Sequence, residues 1–401
     1  MKSSSVLSHL KVIEVGSFVA GPFCGQLLAD FGADVIKVEP PKTGDTMRGW
    51  GAVRASNGTS LWWSVIGRNK KSLTLDLRTK EGQEILKSLL VDTDVLVENF
   101  RPGTLEKWGL DPKTLRESKP GLIVARVSGF GQTGPNASRA GFAAVAEAAA
   151  GLRTLTGYPD RPSTRVGVSI GDSLAGLHAA FGVLLALTAR DRNGGQGQDV
   201  DVAITESVLA VMESVIADFG AAGTLRQRSG PVIAGLAPSN AYPTVDGSEI
   251  VIGANTDGLF KELCGVMGNP GLTADPRFAT HKARGDNQPD IDDIIGQWTQ
   301  SRDKAEIISL MVQHGIPVGP VNDAAGVSTD PHFRERGAIV DVHDAEIGNV
   351  TMQGTFPVLG QTPGKINWPG PALGAHSKDI LQDRLGMSAS EIERLSAAGI
   401  I

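Results

Sequence analysis

Cysteine is nearly absent: Cys24 and Cys264 are the only two in 401 residues. They stand far apart, with no CxxC and no Cys/His cluster, which excludes a disulfide framework and a structural zinc site and points to a reducing cytoplasm. No block of one charge sign occurs either. The 44 acidic and 38 basic residues are mixed along the chain and leave a formal charge of -6. There is neither a polybasic arm nor an acidic tail, so nucleic acid is a poor partner. The most apolar run, 174–187, is interrupted by His178 and falls short of the roughly 20 residues that span a bilayer. The opening MKSSSVLSHLKVIEVG has no sustained apolar segment and no small-residue cleavage site, so no secretory leader is expected. The 50 glycines follow no fixed period, and collagen, solenoid and low-complexity readings drop out. The expectation is a soluble, cytoplasmic protein without a membrane segment.

What is present is enough for a large core, with 41% hydrophobic residues and a length that predicts two or three domains. LKVIEVG has the β-branched character of a strand, and GPFCGQLLADFGA after it has helical spacing with Pro22 near the first turn. ADVIKVEP, SLTLDL, DVLVENF and GLIVARVSGF continue the strands, and TKEGQEILKSLLV between them reads as a helix capped by Thr79. This alternation predicts an α/β fold with a Rossmann-like, open, mostly parallel sheet, whose ligands lie beyond the carboxyl ends of the strands. The expected large domain is 1–225, ending in a long, mostly buried helix over 173–190 and the strand-then-helix DVDVAITESVLAVMESVIADFG. A smaller α+β domain is expected over 226–320, and 321–401 returns to complete the large one.

The obvious ligand for an opening βαβ unit is a dinucleotide, but the first turn, GSFVAG, lacks the G-x-G-x-x-G spacing that brings pyrophosphate to a helix N-terminus. GxxxxGK[ST] and GxSxG are also missing, and the histidines have no metal-ligand spacing. No metal and no permanently bound cofactor is expected. GGQGQ at 194–198 looks like a phosphate cradle but reads better as a helix-to-strand turn.

AGPFCGQLLADFGADVIKVEPPKTGDTMRGWG, GRNKKSLTLDL, VENFRPGTLEKWGL, SGFGQTGP and VGVSIGDSLAGLHAAFGVLLAL, in that order, resemble the class III coenzyme A transferases, the family of formyl-CoA transferase and carnitine CoA-transferase. The closing PALGAHSKDILQDRLGMSASEIERLSAAGI resembles the family's last segment, with Gly374, Ala375 and His376 where Gly-Glu-His is usual. The resemblance implies an interlocked homodimer and a coenzyme A thioester as substrate. It also implies that the aspartate of the Gly-Asp step, here Asp172, is the nucleophile. A carboxylate of reference pKa about 3.9 is ionised at neutral pH and needs no base to attack. Gly171 would leave room for the thioester, and Asp172 also reads as the N-cap of the helix that follows, since Asp is a preferred cap.

For coenzyme A the resemblance points to Phe18 and Val19 in the first turn, to Lys71 and Leu75 around the third strand, and to Asn99, Phe100 and Lys107. Phe100 would flank the adenine, Asn99 bond its edge and Lys107 meet a phosphate. Pro40 and Pro41 follow Glu39 where relatives often carry arginines, so Arg48 and Lys70 or Lys71 are the alternative phosphate partners. Gly235, in the loop IAGLAPS, would be the hinge of a cover over the aspartate.

Racemisation of an α-methylacyl-CoA on the same fold needs a histidine in an AGH string. Here the string is Ala140, Gly141, Phe142, and a phenyl ring carries no proton. Ala143 follows where transferases often have an acid, and Glu147 is the candidate substitute. RPSTRVGVSIGD resembles the members that move CoA from succinyl-CoA to dicarboxylates. A second carboxylate would pair with Arg165 or Arg48. Formyl-CoA and oxalate exchange is the alternative.

Overall fold

The computed structural model describes residues 5–55 and 58–401; the first four residues, part of the stretch read for a leader, lie outside them. Six short apolar runs form β1 (Lys11–Glu14), β2 (Asp34–Glu39), β3 (Lys71–Thr74), β4 (Val95–Glu98), β5 (Ile123–Ser128) and β6 (Asp199–Ala203). They lie in the order β3-β2-β1-β4-β5-β6, every pair parallel. Strands are added outward on one side up to β3 and on the other from β4. The β1/β4 junction is therefore the switch point at which such sheets bind ligands. β4 and β5 are buried throughout, as strands covered by helices on both faces must be.

One face of the sheet is covered by α1 (Ala20–Asp30) and the long helix Ile170–Arg192, which pack on each other and on β5. Their contact is made by small residues: a Cβ at Gly176 would lie 2.7 Å from the Ala20 carbonyl oxygen. The other face is covered by the helices Lys80–Leu90, Ser377–Leu385 and Ala389–Ala397, whose Leu86, Leu381 and Leu395 share a core with Ile13, Ile36 and Leu96. Thr79 caps the first of these through the Gly82 N–H at 3.0 Å.

The chain divides into two compact units, one of Met1–Leu152, Val166–Gly220 and Asp330–Ile401, the other of Arg153–Arg165 and Ala221–Thr329. The small unit is thus wider at both ends than the expected 226–320, and it includes an upstream piece that the periodicity placed in the large domain. The reason is local. Arg228 donates to the carbonyls of Thr154, Tyr158 and Arg161, and the Gly230 N–H donates to the Gly157 carbonyl. The core of this unit packs helices on an antiparallel sheet of β7 (Ser239–Pro243), β8 (Glu249–Gly253) and β9 (Val318–Pro320).

The returning segment begins with the antiparallel pair β10 (Ile339–Asp344) and β11 (Gly348–Gln353). It then seals the exposed edge of β3, whose backbone would otherwise be a template for aggregation. The Ser72 N–H donates to His376 Nδ1 (3.1 Å), the His376 N–H to the Ser72 carbonyl (3.0 Å), and the Thr74 N–H to Ser377 Oγ (3.0 Å).

Beneath the carboxyl ends of β1 and β2 lies a buried set of charges. The Lys37 ammonium pairs with Glu14 (2.8 Å) and Asp45 (2.7 Å) and donates to the Gly16 carbonyl. Lys70 binds the other Glu14 oxygen and the Pro22 carbonyl, both at 2.7 Å. Burial opposes the charge on Glu14 and Asp45, but the lysines outweigh it and hold both carboxyls below the usual range. Their contribution to stability is present above the ordinary carboxylate pKa and is lost as the pH falls below it.

The long helix differs from its expected burial. It spans 23 residues and by length and composition is apolar enough to cross a membrane. Its inner stripe packs on α1 and β5, while Leu177 (52% exposed), Phe181 (58%) and Leu185 (54%) form an outer apolar stripe. A helix apolar on every side reads as buried, but this chain alone does not cover that stripe.

Removing one member of a buried ion set leaves the others uncompensated, at a cost of roughly 3–5 kcal/mol. Lys37→Met is expected to lower the free energy of unfolding by that amount in urea titrations at pH 7. Adding Glu14→Gln and Asp45→Asn to it is expected to recover part of the loss.

Candidate active site

The turn after β1 is built around an absence. A Cβ at Gly16 would lie 2.1 Å from Asn99 Oδ1. Asn99, just past β4, uses that space to accept from the Ser17 N–H (2.8 Å) and to donate to the Ser17 carbonyl (2.7 Å). The amide ties the two strands together across the switch point. Phe18 follows with φ 67°, a left-handed backbone that costs a residue bearing a Cβ roughly 1–2 kcal/mol. Its N–H donates to Asp45 Oδ1 (3.2 Å), which also accepts from Met47 (2.9 Å). The same carboxylate that pairs with Lys37 therefore holds the strained turn in place. The Phe18 ring meets Trp50 and Phe142 edge-on, at centroid distances of 5.6 and 5.9 Å. Val19 is buried at the start of α1.

Asp172 is half-buried in the first turn of the Ile170–Arg192 helix. That helix crosses back from the carboxyl edge of β5 to enter β6, so its first turn stands at the edge where ligands bind. Ser169 and not Asp172 occupies the N-cap position, which corrects the cap reading; a carboxylate in the first turn is still favoured by the helix dipole. Gly171 has a further reason. A Cβ there would lie 3.3 Å from Glu147 Cγ and from Ile204 Cγ2, so close packing against these two side chains also favours a small residue. Glu147 is buried on the Ala143–Ala149 helix and accepts from the Gly171 N–H at 3.4 Å. It thus reaches the residue next to Asp172. Phe142, in contact with Phe18, caps the same short helix. Phe18, Phe142, Glu147 and Asp172 are thereby linked at one end of the sheet.

Beside them the end of β4 makes a second cluster. Arg126, on β5, binds Glu98 Oε1 through Nε and Glu106 Oε1 through a terminal nitrogen, both at 2.9 Å. Glu98 Oε2 accepts from the Phe100 N–H (2.8 Å), and the Phe100 ring packs edge-on to Trp108 at 5.0 Å. Lys107 ends the short helix Thr104–Lys107 and is exposed. Burial pushes the Glu98 carboxyl up to about 7 although Arg126 and the Phe100 N–H oppose the shift; the Glu106 charge adds to it.

The sequence model described as CoA-transferase family III matches residues 7–377. The chain belongs to CoA-transferase family III. A relative in Chloroflexus aurantiacus, "Succinyl-CoA--D-citramalate CoA-transferase", is 52% identical over 98% of this chain and 98% of its own. "Succinate--glutarate CoA-transferase" of Agrobacterium fabrum is 34% identical over 94% of this chain and 95% of its own. Among solved structures, a CAIB/BAIF family protein from Brucella suis superposes with a TM-score of 0.85 at 34% identity, covering 95% of this chain and all of the other.

In this CoA-transferase several expected coenzyme A contacts have other partners. The Asn99 amide bonds Ser17 through its oxygen and one N–H. Arg48 is clamped by Glu39 through Nε (2.7 Å) and a terminal nitrogen (2.8 Å), donates to the Pro371 carbonyl, and lies 3.8 Å over the Trp63 ring. Lys70 is buried on Glu14. Lys71 sits at the amino end of β3, paired with Asp34 at 2.7 Å, and the Leu75 side chain is core. Phe18, Phe100 and Lys107 keep surface at the carboxyl edge. Arg165 is exposed in the small unit, and Gly235, also there, has φ 85° in a loop whose backbone presses on Gly285. Among the described residues no group of three or more His, Cys, Asp or Glu is arranged to hold a metal.

Lys37, Asp45, Glu98 and Arg126 were missed. The signal was a charge inside an apolar strand run, K in DVIKVE and R in IVARVS, since such residues are rarely buried unless paired.

The raised Glu98 pKa means that the native chain holds a proton which the unfolded chain releases near pH 4.5. Stability should therefore fall as the pH rises from there to about 7, by on the order of 3 kcal/mol from this group. Glu98→Gln is expected to flatten that fall in urea titrations at pH 5 and pH 8, gaining on the wild type at the higher value; parallel pH slopes would contradict it.

Proposed function

We propose that the enzyme moves CoA from succinyl-CoA to a dicarboxylic acid, with Asp172 as the nucleophile. The observation that carries this reading is the placement of Asp172 in the first helical turn at the carboxyl edge of the sheet, beside Gly171 and its bond to Glu147. The Asp172 carboxylate attacks the thioester carbonyl and the C–S bond breaks, giving a mixed anhydride and CoA thiolate. The thiolate attacks the aspartyl carbonyl and expels succinate, leaving aspartyl-CoA thioester. The acceptor carboxylate attacks that thioester, and the released thiolate takes the new acyl group while Asp172 returns as carboxylate. No proton is gained or lost in the cycle. Phe142, where a racemase would carry histidine, supports transfer over racemisation.

The donor and acceptor are drawn from the names of the relatives, with D-citramalate the first acceptor to test and L-malate and glutarate next. Formyl-CoA and oxalate exchange is the second reading. Of the two cations considered for the acceptor's second carboxylate, Arg48 is already paired with Glu39. Phe18, Phe100 and Lys107 form the coenzyme A contacts.

A second copy of the chain, interlocked with the first, is the occupant we assign to the apolar stripe of Leu177, Phe181 and Leu185. A cytoplasmic setting fits the two buried free thiols.

Incubation with succinyl-CoA should leave a mass adduct on the peptide holding Asp172, discharged by hydroxylamine. Asp172→Asn is expected to lose both the adduct and at least about 10³-fold in turnover. Absence of adduct and exchange across a panel of CoA thioesters and acids would sink the enzyme reading, and solvent deuterium entering the α-carbon without exchange would favour racemisation. For the assembly, sedimentation should give a dimer. Phe181→Glu with Leu185→Lys should shift it toward monomer or aggregate, whereas a wild-type monomer would refute the pairing.

A further inference from the structure

The proposed chemistry at Asp172 uses neither Arg126 nor the two acids it binds, yet Arg126 and Glu98 are buried and Glu106 is drawn in beside them. A guanidinium that only needed neutralising could take one carboxylate. Here one fork spans Glu98, the last residue of β4, and Glu106, on the Thr104–Lys107 helix. These acids bracket the turn that presents Phe100 and lie next to Lys107. The second Glu98 oxygen holds the Phe100 N–H. The Asn99 amide fixes the same turn to Ser17 from the other side. The ring of Phe100 is set by Trp108. The turn is therefore tied near its start by Asn99 and the Phe100 N–H and near its end by Glu106, while it keeps a partly exposed aromatic face and the exposed cations of Arg101 and Lys107. An aromatic face beside a cation is the pair that a purine carrying phosphates would use.

The arrangement is not favourable in itself. Burial opposes the ionised form of Glu98, with Arg126 only partly compensating. Buried ion sets of this kind are poor sources of stability and are best attested as devices that fix a register.

We propose that Arg126 is a positioning residue for coenzyme A: by gripping Glu98 and Glu106 together it fixes the 99–107 turn as the shelf for the nucleotide end of the molecule. This rests on the CoA-transferase reading of the site and adds to it a residue that touches no substrate.

Two variants probe the grip. Glu106→Gln replaces the charge-assisted bond at the far end of the turn by a weaker neutral one and leaves the Arg126–Glu98 pair, so it should fold; Arg126→Lys keeps the charge but cannot span both acids. Calorimetric titration with adenosine 3′,5′-bisphosphate, the nucleotide fragment of coenzyme A, should show binding weakened by about three- to tenfold in each, the loss expected for one or two hydrogen bonds. In ping-pong kinetics the KM for succinyl-CoA should rise while the KM for the acceptor acid stays within twofold. The Glu106→Gln melting midpoint should stay within about 2 °C of the wild type, as for a surface substitution.

Unchanged bisphosphate affinity in both variants would overturn the proposal, and so would an equal rise in both KM values, which marks general damage to the fold. The underlying reading fails in a different way. In that case the wild type does not bind the bisphosphate, or Phe100→Ala and Lys107→Ala leave its affinity unaltered, so that no shelf exists for Arg126 to position.

Discussion

The Lys37 ammonium, buried between Glu14 and Asp45, is the contact on which the rest of the site depends. Taking three charges out of water costs several kcal/mol per ion, and the mutual attraction repays it only when geometry and hydrogen bonds are nearly complete. They are nearly complete here because each member also holds backbone. Lys37 donates to Gly16, Asp45 accepts from Phe18 and Met47, and Glu14 reaches Lys70, which donates to Pro22. The ions thus fix the first turn and the loop after β2 to each other. An apolar core of the same volume would fill the space, but it could not hold Phe18 in a left-handed conformation or aim its ring at Phe142.

Asp172 reaches the same edge by a different route. Its height is set by the approach of the long helix to α1 at Gly176, where backbone rather than side chain meets backbone. Its rotation is set by the Gly171 N–H on Glu147. Small residues do for this carboxylate what buried charges do for the aromatic turn. The difference follows from the chemistry: a carboxylate nucleophile is ionised without help and needs exact placement only, whereas an aromatic contact must be braced from behind.

The period-two and helical runs made the sheet, its helices and the return of the carboxyl-terminal segment legible, because those patterns are local. The Gly-Asp step and the strings around it made the family legible as well. Charges were not legible in the same way. A sequence displays that Arg48, Lys70 and Lys71 are basic but not that Glu39, Glu14 and Asp34 await them, since the partners are brought together only by strand order. All three candidate phosphate ligands therefore carry carboxylate partners within the chain. The bond of Asn99 to Ser17 is hidden in the same way, because nothing in VENF shows that Ser17 lies across from it. The upstream piece of the small unit was hidden for the same reason: its hold on Arg228 is made by carbonyls, which carry no side-chain signal.

Selectivity cannot reside in Asp172. A carboxylate attacks any thioester carbonyl it can reach, and every CoA thioester presents the same one. Discrimination has to come from groups that grip a substrate away from the reacting carbon, since only differences in those contacts separate one transition state from another. At one end of the thioester the nucleotide is common to all donors, so a rigid shelf serves every turnover. At the other end the acids differ in length, hydroxylation and charge, and a second carboxylate is the feature that a cation can read most strongly. On the proposed reading, rigidity belongs at the 99–107 turn, where the ligand never changes, and the choice of acid belongs to groups that meet the acyl chain beyond its reacting carbon.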